Sequence, residues 1–377
     1  MKNILLYCIL LFPVISSAQY TVKVQIDSLP ASPAATAIYI AGNFNNWNPT
    51  DENSRIQKND KGVFVIEINN VEAATYELKF TRGSWDNVET DKTGKEIANR
   101  SVTINADTTL HFSIAGWKDG FPENKKKVST AGKHVQIIDT AFSVKSLNRT
   151  RRIWMYLPGD YESSKKKYPV LYMHDGQNLF DNATSFSGEW GVDEALDSMK
   201  NPVIIVGIDN GGTKRMLEYN PDDTKQFGKG EGKQYLEFIV KELKPYIDKN
   251  YRTLPDKQHT AIAGSSMGGL ISFYAGIYYP ETFGALGVFS PSFWINPQIK
   301  DEVKQWVNKK NNHSQQYFFY VGEKEGGPMA PDMRAMAEEM KQLADPAMMV
   351  EVNPEGKHNE ADWRKVFPMF YTWVIKQ

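Results

Sequence analysis

Residues 260–269 read Thr260-Ala261-Ile262-Ala263-Gly264-Ser265-Ser266-Met267-Gly268-Gly269. The apolar run Thr260–Ala263 predicts a short strand, and Met267–Tyr278 an amphipathic helix. Between them Ser266 occupies the centre of Gly-x-Ser-x-Gly. Glycine and serine are common, so the pentapeptide alone says little. The strand before it and the helix after it carry the weight: a serine on a tight strand-to-helix turn needs small neighbours. The helix N-terminus that follows also favours negative charge developing at that point. Ser265 is off the pattern by one residue.

Outward from this stretch, strands and helices alternate from about His134 to the end of the chain. Val135–Phe142 and Arg152–Leu157 are predicted strands, followed by the apolar runs Pro169–Met173 and Pro202–Ile208. Leu286–Phe289, Tyr317–Val321 and Met348–Val352 continue the series. Helices are predicted around Trp190–Ser198, over Tyr235–Tyr251 (Leu236, Ile239, Val240, Leu243 and Ile247 at helical spacing), over Asp332–Leu343 and over Ala361–Ile375. Apolar strands of four to seven residues between helices imply an α/β fold: a mostly parallel sheet with helices on both faces.

A serine hydroxyl needs a base, and on such a sheet the acid and then the histidine should follow it, each just after a strand. His313 and His358 are the two downstream histidines. His313 lies in the polar stretch Asn311-Asn312-His313-Ser314 before a strand, whereas His358 lies after Met348–Val352 and before the last helix, where a general base belongs. The acid should lie in Gly322-Glu323-Lys324-Glu325-Gly326-Gly327; Glu325 is preferred, with Glu323 and Asp332 as alternatives. It would orient and stabilise the imidazole. Oxyanion donors should be the Met267 amide and the amide of Gln177 or Gly176, in the loop His174-Asp175-Gly176-Gln177-Asn178-Leu179-Phe180. His174-Asp175 has no third candidate ligand cluster, so a metal site is rejected, and no cofactor is implied. Trp190, Arg215, Glu218, Tyr219 and Trp294 fall in loops after strands; Trp294 and Arg215 are taken as candidate substrate contacts.

The composition bounds the rest. The 377 residues are 41% hydrophobic and 24% charged, ordinary for a folded chain of two or three domains. Lys plus Arg at 44 against Asp plus Glu at 45 leaves −1, without the basic excess of a nucleic-acid binder. One cysteine, Cys8, excludes an intramolecular disulfide and a multi-cysteine zinc site. Residues 1–18 have a basic start, an apolar run Ile4–Ile15 and Ser16-Ser17-Ala18, the layout of a secretory signal peptide too short to span a membrane. The chain is therefore expected to be exported, without a membrane anchor. From residue 20 to about 115, short alternating strands such as Thr21–Ile26, Val63–Ile68 and Tyr76–Phe80 predict a small β-sandwich. Residues 116–133, with Gly116, Gly120, Pro122 and Lys125–Lys127, read as a solvated linker before a domain over 134–377. Trp47, after Gly42-Asn43-Phe44-Asn45-Asn46, and Trp85, after Tyr76–Ser84, are tryptophans in polar loops, which point to a stacking surface for sugar rings.

Two resemblances follow from these residues. Residues 20–114, through Ala41–Pro49 and Leu78–Trp85, resemble glycogen- and starch-binding modules with an immunoglobulin-like fold, which implies a glucan face of Trp47, Lys79, Trp85 and Asn99. Residues 134–377 resemble the esterase family of α/β-hydrolases that includes enterochelin, feruloyl and acetyl-xylan esterases. The match runs through His174–Phe180, Trp190–Leu196, Arg215–Tyr219, Ala263–Gly269 and the His358 loop. Feruloyl-type relatives carry aspartate where this chain has Glu325. The resemblance implies a Ser266–His358–Glu325 triad, and the paired module favours feruloyl or acetyl esters on polysaccharide. A siderophore esterase and a non-catalytic glycan-binding protein with a relic hydrolase domain are the alternatives.

Overall fold

The computed structural model describes residues 19–375 apart from 32–36, 46, 122–127, 187, 200–201, 225–227 and 309–313. The expected signal peptide, Cys8, Lys125–Lys127 and His313 lie outside the described residues. The chain forms two compact units, divided between Asn124 and Lys125.

The first unit contains β1 (Gln19–Ser28), β2 (Ile38–Gly42), β3 (Arg55–Lys58), β4 (Phe64–Glu72), β5 (Ala74–Thr81), β6 (Glu89–Thr90), β7 (Arg100–Ile104), β8 (Thr108–Ser113) and β9 (Gly116–Trp117). A small immunoglobulin-like β-sandwich was expected. Seven strands instead run in one hydrogen-bonded order, β7-β5-β2-β3-β4-β1-β8, with β6 and β9 paired apart. The short β3 makes the join: Arg55 and Ile56 pair with β2, Gln57 and Lys58 with β4. The run closes around one apolar cluster fed by Val22, Ile40, Ile56, Leu78, Phe80 and Ile104. At the closure the Phe80 and Phe112 rings lie 5.1 Å apart, and Arg100 Nη2 donates to the Ser113 carbonyl at 2.8 Å. Arg100 also grips the fully buried Glu89 carboxylate at 2.7 Å, which accepts from the Phe80 amide as well.

The linker expected over 116–133 is shorter than its composition suggests. Trp117 is wholly buried in the first unit's core, and β9 pairs with β6. At the other end, Ser129 Oγ and the Thr130 amide donate to Asp181, and the Gly132 amide to Asp193. A buried indole and satisfied backbone groups make both flanks part of their units.

The second unit contains β10 (Val135–Val144), β11 (Arg149–Tyr156), β12 (Val170–His174), β13 (Ile204–Ile208), β14 (Thr260–Ser265), β15 (Ala285–Phe289), β16 (Gln316–Gly322) and β17 (Ala347–Asn353). Their order is β10-β11-β13-β12-β14-β15-β16-β17. The first two pairings, β10 with β11 and β11 with β13, are antiparallel; all others are parallel. β12 shows why its sequence is continuously apolar: Val170 and Tyr172 enter one core, Leu171 and Met173 the other. One core takes the helices at Met267–Tyr278 and Met329–Leu343, the other those at Val192–Asp197 and Glu360–Val374. The sheet is thus covered on both faces, as expected. The helix Ile299–Asn308 was not anticipated, although Ile299, Val303 and Trp306 bury at helical spacing. Strand order reverses beside β12, with β13 on one side and β14 on the other. Loops leaving the carboxyl ends of strands at such a point form the usual crevice of an open α/β sheet.

Replacing Arg100 with alanine strands the buried Glu89 carboxylate and should destabilise the first unit by about 3 kcal/mol. Urea unfolding of the full chain should show an earlier first transition; an unchanged one contradicts this assignment of the closure.

Candidate active site

Ser266 directly follows β14 and precedes the helix Met267–Tyr278, with φ 60° and ψ −121°. For a residue with a β-carbon that geometry costs about 1–3 kcal/mol and must be held by its surroundings. Here the Ser266 amide donates to the Phe289 carbonyl at 2.9 Å, and its own carbonyl accepts from the amides of Leu270 (3.0 Å) and Ser292 (3.2 Å). The flanking glycines are required by contact. A β-carbon at Gly264 would lie 2.9 Å from the Gly268 backbone, and one at Gly269 2.6 Å from the Phe289 carbonyl oxygen. The Ser266 hydroxyl is hydrogen-bonded to Ser292 Oγ at 3.3 Å.

Two strands further along the sheet, Glu325 closes the turn after β16, and His358 lies beyond β17. Glu325 Oε2 is 2.9 Å from His358 Nδ1. Its other oxygen accepts from the Gly322 amide at 2.7 Å and from Ser290 Oγ at 2.6 Å. The carboxylate is fully buried, whereas the imidazole is one-third exposed. An ionised carboxylate only accepts, so Nδ1, the ring nitrogen facing it, carries a proton. The alternative acids are placed elsewhere: Glu323 pairs with Arg334, and Asp332 lies in the first turn of the helix Met329–Leu343, its carboxyl pushed up by burial. Sequence reasoning missed Ser290, Ser292 and Trp363. Trp363 Nε1 donates to Ser290 Oγ at 2.8 Å, and its ring meets the His358 ring edge-on at 5.1 Å and 84°. The available signal was Ser290-Pro291-Ser292, two hydroxyls just past a predicted strand.

The loop after β12 is built separately. Asp175 has φ 56°, and Gly176–Asn178 form one 3-10 turn. A β-carbon at Gly176 would lie 2.8 Å from the Gly207 and Ile208 backbone, so only glycine lets the turn rest on β13. Gln177 Oε1 accepts from the Asn210 amide at 3.2 Å, and its carbonyl from Thr184. Arg215 grips Asp175 with two bonds, at 2.7 and 2.8 Å, and reaches the Ser265 carbonyl at 3.5 Å. Burial alone would raise the Asp175 carboxyl, but the Arg215 guanidinium holds it below the usual carboxylate range. Arg215 therefore ties the β12 loop to the Ser266 turn; its Nε and Nη2 are committed to that task. His174 is buried, bonded through Nδ1 to Tyr235 Oη at 2.9 Å, and desolvation pushes it down to about 3, so it is neutral. Trp190 packs against Phe289 and Trp363, Glu218 pairs with Arg149 and Arg151, and Tyr219 is wholly buried. Trp294 lies in the turn Phe293–Ile295 against the larger core. Glu360, also unforeseen, is a buried carboxyl raised by desolvation and bonded to Asn178 Nδ2 at 3.3 Å.

In the first unit, the half-buried Trp47 and Trp85 rings lie 6.3 Å apart at 41°. Lys79 alternates with the core residues Leu78 and Phe80 and so lies on the opposite face of β5. Its ammonium pairs with Glu96 at 2.9 Å, and Asn99 Nδ2 donates to Glu77 at 3.1 Å. The structure thus brings the two tryptophans together, while Lys79 and Asn99 are each bonded to a carboxylate.

A mostly parallel sheet between helices, with a serine on a strained strand-to-helix turn, defines the α/β-hydrolase class. Residues 144–371, more than half of the chain, match the family model described as Putative esterase. The chain belongs to that family and is a carboxylic ester hydrolase. Over 174 residues it is 29% identical to an endo-1,4-beta-xylanase/feruloyl esterase of Xylanibacter ruminicola, covering 45% of this chain and 23% of that one. Over 94 residues it is 35% identical to an alpha-amylase of Niallia circulans, covering 24% of this chain and 7% of that one. The chain thus spans less than a quarter of the length of either relative. The enterobactin esterase FES of Shigella flexneri, solved with enterobactin, shares the fold: TM-score 0.52, 14% identity, 90% of this chain and 88% of that one.

Arg215→Met should cost about 3 kcal/mol at pH 7 by leaving the Asp175 carboxylate buried and unpaired. The ion pair contributes above the ordinary carboxylate pKa, and that contribution is lost as pH falls through the depressed folded value. In the variant, burial without the cation raises the Asp175 pKa, so protonation removes the penalty as pH falls. The stability deficit in urea should therefore shrink between pH 7 and pH 4.5; an equal deficit at both contradicts the clamp.

Proposed function

We propose that the chain is an exported serine esterase acting on carbohydrate-linked feruloyl or acetyl esters through Ser266, His358 and Glu325. The observation that carries this reading is the buried Glu325 carboxylate bonded to His358 Nδ1 at 2.9 Å, with Ser266 on its strained turn two strands away. The Ser266 hydroxyl turns from Ser292 toward His358 Nε2, which takes its proton as Oγ attacks the ester carbonyl. Glu325 holds the resulting imidazolium by its Nδ1–H. The carbonyl oxygen, now negative, is received by the amides of Met267 and Gln177, at the carboxyl ends of β14 and β12. The Met267 amide opens a helix, so it has no intrahelical acceptor and points along the positive end of the dipole. His358 then returns the proton to the leaving alcohol oxygen, freeing it and leaving the acyl group on Ser266. Water repeats the sequence, with His358 again the base, and releases the carboxylic acid.

Trp294 is assigned to substrate contact, and Arg215 acts on the site through Asp175. Siderophore esters are anionic and call for free arginines. The arginine beside this turn has two of its nitrogens spent on Asp175, which favours an uncharged ester. The first unit is assigned a glucan-binding role, supported by the paired Trp47 and Trp85. Residues 1–18 would direct export and be removed.

Ser266→Ala should reduce p-nitrophenyl acetate hydrolysis by at least about 10⁴-fold; turnover near the parent level rejects the triad. A panel of methyl ferulate, acetylated xylan and enterobactin should give the largest kcat/KM on one of the first two. Trp47→Ala with Trp85→Ala should weaken retention on insoluble glucan and leave small-ester turnover unchanged. Equal retention by the double variant removes the binding face.

A further inference from the structure

Glu325 has a methylene more than the aspartate a shorter acid would supply, and hence one more torsion to fix before its carboxylate faces His358. Only one of its oxygens meets the imidazole. What restrains the other is a chain of donors whose direction is set by chemistry. The Trp363 indole can only donate, and it fills an acceptor position on Ser290 Oγ at 2.8 Å. The single Ser290 hydroxyl proton is then free for Glu325 Oε1 at 2.6 Å, an oxygen that can only accept when ionised. The Gly322 amide bonds the same oxygen at 2.7 Å, so two donors converge on the back of the carboxylate. Ser290 is itself held: it has φ 44°, is wholly buried, and its amide donates to the Tyr320 carbonyl at 2.7 Å. It directly follows Phe289, whose carbonyl receives the Ser266 amide. One short segment therefore braces the nucleophile's turn and the acid together, while the Trp363 ring walls the imidazole.

We propose that Ser290 is a positioning residue of the acid–base pair, with Trp363 aiming its hydroxyl at Glu325. This rests on the serine-esterase reading above. Ser290 touches no reacting atom; it acts by holding Oε2 toward His358, and Trp363 acts through Ser290.

The experiment is a double-variant cycle on the full chain with p-nitrophenyl acetate: parent, Ser290→Ala, Trp363→Phe and both together, with kcat and KM measured separately. Ser290→Ala should lower kcat about 10–100-fold, the range for a hydrogen bond to a charged group, with KM within about twofold. Trp363→Phe keeps the aromatic wall and loses only the indole donor, so kcat should fall about 3–10-fold. The double variant should be no slower than Ser290→Ala, because the indole bond has nothing left to orient. Ser290→Gly, compatible with the positive φ, gives the same readout should alanine fail to fold. Retained kcat in the Ser290 variants, a loss confined to KM, or losses that multiply in the double variant each overturn the proposal. The esterase reading fails differently: the parent chain would not turn over, or Ser266→Ala would.

Discussion

A side chain held at φ 60° and ψ −121° exists only where its neighbours leave it no alternative, and Ser266 is such a residue. Much of the second unit converges on that turn. β15 supplies the carbonyl that takes the Ser266 amide, Gly264 and Gly269 let the backbones approach, and Arg215 bonds the Ser265 carbonyl while gripping Asp175. The strain is local, while the groups that hold it come from separate strands and from the loop after β12. An altered register anywhere between β12 and β15 would dismantle it.

Parallel strands explain how groups far apart in the chain meet. Successive carboxyl ends of β14, β15, β16 and β17 present Ser266, Ser290, Glu325 and His358 along one edge of the sheet. Between Ser266 and His358 run only short links: the Ser266 amide to the Phe289 carbonyl, then Ser290 to Glu325, then Glu325 to His358. The sheet supplies the spacing and the loops supply the chemistry. The loop after β12 adds its turn from the other side of the point where strand order reverses.

The Ser266 turn and the Glu325–His358 contact were legible because each of these residues lies shortly after an apolar run, in the chain order expected on such a sheet. The covered sheet was legible for the same reason: strands buried on both faces are continuously apolar. Ser290 and Trp363 were not, since they bond across 73 residues and a tryptophan on an amphipathic helix reads as core. Arg215 looked like a ligand contact because it sits in a loop; that its partner is Asp175, 40 residues earlier, is a tertiary fact. In the first unit, β3 was invisible as a corner because four residues carry no sign of changing partners halfway along. Trp117 was hidden by the glycines and lysines around it, which outweighed one buried indole in the composition.

The central claim is that Ser266 is the residue that becomes acylated, and intact-protein and peptide mass spectrometry after reaction with a fluorophosphonate ester tests it most directly. The adduct should form at one site per chain, on Ser266, in a peptide where Ser265 stays unmodified. An adduct on Ser265 or Ser292, or none on a chain that is turning over ester, would contradict the account.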